Sequence, residues 1–379
     1  MTARGARILL VAGSALVALA LAEGALRLAG LPREHRPHAR DPQFVSVKGA
    51  DFGYTNVPNA AIRFSYDSDP RGYFGPSNEI VQHTNSQGFR GAPFSIQKPA
   101  GTLRLIFLGD SFTFGEGVKD QDTYVARLEQ ELAARSLFPG KKVEALNLGV
   151  GGFNTAQEAA LLRQFGIVLA PDRVFVAYCL NDAEDLLYSQ AADGTWSRRR
   201  RGGEVPEDVG TPEPPPAIRP LNLTRLAWLA WQGPALTRQT VEHYRALYRE
   251  GSPGWERARV ALQEISRLCR ERRVPVTVLV FPVFFRLGED YPFAEIHRQV
   301  CAAAEQLGMG CLDLLPAFAG FSGPELWVHP SDQHPNEIAH ALVARRLAEA
   351  LAQEPAPPSG TQIPTSRLED YLVSRRATH

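Results

Sequence analysis

Lysine is nearly missing from this chain: only five of its 41 basic residues are Lys (Lys48, Lys98, Lys119, Lys141 and Lys142), which leaves 36 Arg. Net charge is missing too. The 41 acidic residues balance the basic ones, so there is no overall field to hold a polyanion, and nucleic acid is not an expected partner. Cysteine is scarce: Cys179, Cys269, Cys301 and Cys311 are too few and too scattered for a disulfide framework or a C-x-x-C metal site. No metal or other cofactor is expected, and no internal repeat is present. What the 379 residues do have is 44% hydrophobic and 22% charged side chains, the profile of a globular protein of one to three domains rather than a disordered one.

Long apolar runs are also absent beyond the N-terminus. There, Arg4 and Arg7 precede a run from Ile8 to Ala22, which Glu23 and Arg27 interrupt and Pro32 breaks. This is the pattern of an export signal occupying residues 1–31. The run is short for a spanning helix unless Gly24 to Leu31 extends it, and Ala20-Leu21-Ala22 offers an A-x-A cleavage site. An uncleaved anchor and a cleaved signal both stay open. In either case the Arg pair keeps the N-terminus cytoplasmic and sends the body outward, into the periplasm or beyond. No Cys follows the run, so a lipoprotein anchor is not expected.

Residues 32–101 are rich in Gly, Pro, Asn and Asp, with short strand-like pieces such as Ile62 to Tyr66, and read as a β-rich extension packed on the main domain. From there to residue 351 short apolar runs alternate with helical periodicity. Leu103 to Leu108, Val143 to Leu148, Val174 to Tyr178, Val274 to Phe281 and Gly310 to Leu315 read as five strands buried on both faces, hence a parallel sheet covered by helices. Regularity lapses at 185–254, where four Arg lead into a Pro-rich stretch, so this segment reads as an insertion. The tail 352–379 is Pro-, Ser- and Arg-rich and reads as loose.

Open parallel sheets put ligands at the C-terminal tips of their strands, and four such tips here carry chemistry. Gly109-Asp110-Ser111-Phe112 follows the first strand and can aim a hydroxyl and its own N–H into the crevice, as an acyl-transfer nucleophile requires. A glycine-rich turn from Asn147 to Thr155 follows the second and allows close backbone approach through Gly152. Asn181-Asp182 follows the third, and Asp332-Gln333-His334-Pro335 precedes the last helix.

In these four blocks, and in their order, the chain resembles the SGNH (GDSL-type) hydrolases over roughly residues 102–350. The resemblance implies a flavodoxin-like αβα sandwich with a five-stranded parallel sheet. It implies Ser111 as nucleophile, His334 as general base and Asp332 as the acid that orients it. The Ser111 and Gly152 N–H groups and the Asn181 side chain would form the oxyanion hole. Two departures stand out. The family's acid normally lies three residues before the histidine, where this chain has Ser331, while its acid sits two before, a spacing that the alginate O-acetyltransferases of bacteria share. The Asn block normally opens with Gly, where this chain has Cys179, read here as a small buried packing residue.

Asp110, Asp182 and Asn147 are expected to hold turns, and His329 and His340 lack a ligand set at metal spacing. Trp196, Trp228, Trp231 and Trp255 lie in or beside the insertion, with three alternative uses: stacking on a sugar, packing of a lid over the crevice, or, at Leu226 to Trp231, seating at a membrane surface. The expected activity is hydrolysis of an acyl ester, with O-acetyl groups on an envelope or extracellular glycan as the favoured substrate. Two alternatives are O-acyl transfer to a polysaccharide through the same acyl-enzyme, with a partner protein supplying the acyl donor, and a non-catalytic accessory role.

Overall fold

The computed structural model describes residues 3–29, 31, 38–39, 41–184, 186–190, 196–200, 215–288 and 290–353. Most of the C-terminal tail and the Arg/Pro stretch 201–214 lie outside the described residues. Two compact units are present, one drawn from 1–35 and 207–243, the other from 36–206 and 244 onward.

The larger unit is built on five parallel strands: β1 (Thr102–Leu108), β2 (Lys142–Asn147), β3 (Arg173–Tyr178), β4 (Val276–Val280) and β5 (Gly310–Asp313). Their order is β2-β1-β3-β4-β5, that of a flavodoxin-like doubly wound sheet. Every residue of β1 and β3 is buried, because helices cover both faces. On one face α1 (Tyr124–Ala134) and α5 (Glu337–Ala352) pack against Leu103, Leu105, Phe107, Phe175, Ala177 and Leu279. The Phe107 and Phe175 rings stack at 4.6 Å, and burying each contributes about 1.5–3 kcal/mol. The helices α2 (Thr155–Gln164), α3 (Pro253–Arg270) and α4 (Ala294–Gln306) cover the other face, and Ser266 Oγ of α3 donates to the Leu307 carbonyl just after α4 (2.8 Å).

The extension pairs Phe44–Ser46 with Tyr54–Asn56 and Ala61–Ser65 with Glu79–His83, both antiparallel. It belongs to the larger unit and is clamped there by buried guanidinium groups. Arg104 of β1 donates to the carbonyls of Ser95 and Ile96 (2.8 and 3.1 Å) and to Glu144 (2.6 Å). Arg90 donates to the carbonyls of Gly115 and Val118 (3.1 and 3.0 Å).

Three features go beyond the sequence reading. Cys301 and Cys311 form a disulfide between α4 and β5. Scattered cysteines do exclude a framework, but a helix followed by its own strand brings these two Cα atoms to 5.3 Å, within bridging range. The insertion is not irregular throughout: Leu186–Gln190 and Trp196–Arg200 form a hairpin, and Asn222–Leu247 is one helix with Pro234 inside it. Its Leu, Ala, Arg and Gln content favours a helix, which a proline within the run masks in the sequence. Finally, the N-terminal helix takes the longer course that the sequence left open: it runs past the charges, from Ala3 to Leu28, and its Arg7–Leu28 portion, mean hydropathy 2.1, is long and apolar enough to cross a membrane. Glu23 and Arg27 pair at 2.7 Å, and Glu23 also accepts the backbone N–H groups of Asn222 (3.0 Å) and Leu223 (2.9 Å) within the smaller unit.

Candidate active site

The strand tips of β1, β2 and β3 and the hairpin before α5 border one cleft of about 550 Å³, lined by Ser111, Gly152, Asn181, Asp332 and His334 among others. Every residue the sequence reading placed at the site is therefore in this cleft. Ser111 opens a single helical turn, Ser111–Phe114, directly after β1. Asp110 caps that turn by accepting the Phe112 N–H (2.9 Å) and also accepts from the Asn181 amide (3.3 Å). One carboxylate thus fixes both the Ser111 turn and the carboxamide beside it.

The residues Asp332–Pro335 pair antiparallel with Trp327–His329, and this hairpin presents His334 to Ser111. His334 Nε2 lies 2.9 Å from Ser111 Oγ, and His334 Nδ1 lies 2.6 Å from Asp332 Oδ1. Asp332 also accepts the His334 backbone N–H (3.1 Å), so the two-residue spacing closes a local turn as well as a side-chain bond. A third donor, the Tyr66 hydroxyl, reaches Asp332 Oδ2 from the extension (3.0 Å). Burial alone would raise the pKa of Asp332, yet the charge and hydrogen bonds of His334 outweigh burial and hold it below the ordinary carboxylate range. For His334 burial opposes the charge, but Asp332 and then Glu116 raise the imidazole pKa to about 10. Ser331 turns away: its hydroxyl meets His329 Nδ1 (2.7 Å), and His329 Nε2 meets Asp67 and Ser68 of the extension (both 2.9 Å).

Gly152 has φ +74°, and a Cβ there would come within 2.2 Å of the Tyr188 ring. A glycine is thus required both by the backbone and by the wall it passes. Among the described residues neither the Ser111 N–H nor the Gly152 N–H donates to a protein acceptor, so both stay available to a ligand. Cys179 is buried, with its Sγ 3.5 Å from Asp110. Burial pushes its thiol well above the ordinary range, which makes it a poor thiolate. Asp182 accepts from the Thr155 hydroxyl (2.9 Å), and Asn147 bridges the Thr113 carbonyl (2.6 Å) and the Gly149 N–H (3.0 Å). His340 accepts the Tyr124 N–H (3.0 Å) inside the core, where burial and then Arg90 lower it to about 3.

Of the tryptophans, Trp196 joins Phe44, Tyr54 and Tyr188 in an aromatic cluster on the Gly152 side of the cleft. Trp255 is buried against Tyr178 and Tyr248, while Trp228 and Trp231 lie in the smaller unit. Sequence reasoning missed Tyr66, because 266 positions separate it from Asp332. It also missed Glu116, whose carboxylate lies 4.0 Å from His334 Nε2. The available signal was an acid between Gly115 and Gly117, just past the Ser111 turn.

The sequence profile of the GDSL-like Lipase/Acylhydrolase family matches residues 107–342. No curated protein matches the chain. Among solved structures, LAE5, an alpha/beta hydrolase enzyme from the metagenome of Lake Arreo, Spain, is 19% identical with a TM-score of 0.41, covering 68% of this chain and 98% of its own. Axe2, an acetyl-xylooligosaccharide esterase from a Geobacillus species, is 15% identical with a TM-score of 0.42 over 68% and 98%. TesA is 16% identical with a TM-score of 0.40 over 65% and 97%.

Proposed function

Since the chain belongs to the GDSL-like lipase/acylhydrolase family and is a hydrolase of ester bonds, we propose that its reaction runs through an acyl-enzyme on Ser111. The observation that carries this reading is the hydrogen-bonded chain Asp332–His334–Ser111 at the open edge of the sheet. Ser111 Oγ attacks the ester carbonyl while His334 Nε2 takes its proton, and Asp332 holds the imidazole in the matching tautomer. The Ser111 and Gly152 N–H groups and the Asn181 amide receive the negative charge that develops on the carbonyl oxygen. Collapse breaks the bond to the alcohol, which leaves with the proton from His334, and a water activated by the same imidazole then releases the acid.

The substrate in this reading is an O-acetyl group on an envelope or extracellular glycan. An open cleft with aromatic walls, Phe44, Phe112 and Tyr188, beside polar groups suits a short acyl chain on a sugar. The helix Arg7–Leu28 supports a membrane anchor with the body exported, and the Cys301–Cys311 bridge fits an oxidising compartment. The test is to offer the purified chain acetylated oligosaccharides and p-nitrophenyl esters of rising chain length, following free acid. Acetate release that falls with chain length and vanishes in Ser111→Ala supports the proposal. Acetylated sugar as the main product, with slow acetate release, would make the enzyme a transferase at the same site.

A further inference from the structure

Glu116 lines the cleft but takes no step in the reaction proposed at Ser111. Its carboxylate makes no hydrogen bond to protein among the described residues, and its ionic neighbour is His334 Nε2 at 4.0 Å. The side chain is 22% exposed and lines the cleft. It is held there firmly. The Glu116 N–H donates to the Ser111 carbonyl (3.1 Å), and the flanking carbonyls of Gly115 and Val118 are gripped by Gln82 (2.7 and 3.2 Å) and Arg90. Next to it Gly117, at φ +80°, passes so close to Val328 and the Tyr66 hydroxyl that no side chain fits. The extension therefore fixes the loop that carries Glu116 before any substrate arrives.

The position of Glu116 relative to His334 says which part of the substrate it meets. His334 Nε2 must hand its proton to the departing alcohol, so the alcohol oxygen comes to this nitrogen. A carboxylate within 4.0 Å of the same nitrogen is within reach of the alcohol half. The cleft lining reinforces its sign: among the described residues Glu116, Glu184 and Asp332 line it, His334 is the one basic side chain that does, and no Lys or Arg lines it. We propose that Glu116 selects the alcohol half of the ester, accepting a hydrogen bond from a free hydroxyl next to the acylated oxygen and rejecting alcohols that carry negative charge. The substrates it admits are then esters of neutral polyols such as sugars with an adjacent unmodified hydroxyl. Uronic acids and phosphorylated alcohols are excluded by repulsion at a site where neither charge is well solvated. This rests on the acyl-enzyme reading above.

Three small esters separate these statements: ethylene glycol monoacetate, its methyl ether, and O-acetylglycolate, which places a carboxylate where the hydroxyl would be. Full-length enzyme at mildly alkaline pH is predicted to favour the monoacetate over the methyl ether by about tenfold in kcat/KM, the worth of one hydrogen bond to a charged group. It is predicted to disfavour O-acetylglycolate by a similar factor. In Glu116→Ala the hydroxyl preference falls to near unity, in Glu116→Gln it is partly kept because the amide oxygen still accepts, and both variants relax the rejection of O-acetylglycolate. Turnover with both ratios unchanged in both variants overturns the inference and leaves the reaction standing. No Ser111-dependent turnover of any ester, p-nitrophenyl acetate included, overturns both.

Discussion

Ser331 and Asp332 are adjacent in the chain but face different histidines. Ser331 steadies the buried ring of His329, while Asp332 bonds His334, which itself meets the Ser111 hydroxyl. Asp332→Asn should therefore lower kcat by orders of magnitude with the fold kept, as loss of the orienting carboxylate does in related triads, by about 10⁴. Ser331→Ala should be nearly silent in kcat, and a larger loss from it than from Asp332→Asn would reverse the assignment. Asn181→Ala should lower kcat by about 10²–10³, the effect of removing one oxyanion donor. The pH profile carries a sign that can be worked out. The imidazole acts as a base only when neutral, and Asp332 and Glu116 hold its pKa at about 10, above its ordinary value, so kcat/KM of the free enzyme should rise with pH through the alkaline range. Burial sets the raised pKa values of Glu116 and Asp110, the other acids facing this ring. Glu116→Gln removes one attraction for the proton, so the rising limb should move to lower pH. A limb that stays in place, or moves up, would show that Glu116 does not act on the ring. At this scale the gathering of Ser111, Gly152, Asn181, Asp332 and His334 in one cleft was legible, because each sits at a strand tip or turn with a local sequence mark. Tyr66 and Glu116 were not, since what places them is packing of the extension, which leaves no local pattern.

At the scale of elements, the glycine-rich turn after β2 is the most demanding piece of backbone at the site. Gly152 combines φ +74° with the Tyr188 ring in the space a side chain would need. Gly152→Ala should lower stability by about 1–3 kcal/mol, the cost of a residue held in the left-handed region. Thermal unfolding would measure this, and kcat should fall in the same variant because its N–H would be displaced. An unchanged melting temperature with full activity would mean that the turn relaxes freely and that its N–H position is not critical. The inner strands β1, β3 and β4 were readable because burial on both faces leaves short, mostly apolar runs. The edge strands β2 and β5 are not buried on both faces as the sequence suggested, because each has a neighbour on one side alone. The helix Asn222–Leu247 was not, because Pro234 and the preceding prolines read as breakers while its Trp and Leu residues lack a clear amphipathic stripe. The disulfide was likewise hidden, since pairing depends on how α4 returns to β5 and not on the spacing of cysteines.

At the scale of the whole molecule, the charges near the N-terminus and the apolar helix predict which side of a membrane the hydrolase occupies. With Arg4 and Arg7 cytoplasmic, protease added to intact spheroplasts should digest the body, and protection until lysis would place it inside. The central claim, that the ester-hydrolase unit works through an acyl-enzyme on Ser111, is met most directly by a fluorophosphonate probe followed by mapping of the modified peptide. The predicted result is a single adduct on Ser111, slowed by a saturating acetyl ester present during labelling and absent in the folded Ser111→Ala and His334→Ala variants. An adduct on another residue, or a folded Ser111→Ala protein that still cleaves esters at the parent rate, would contradict it.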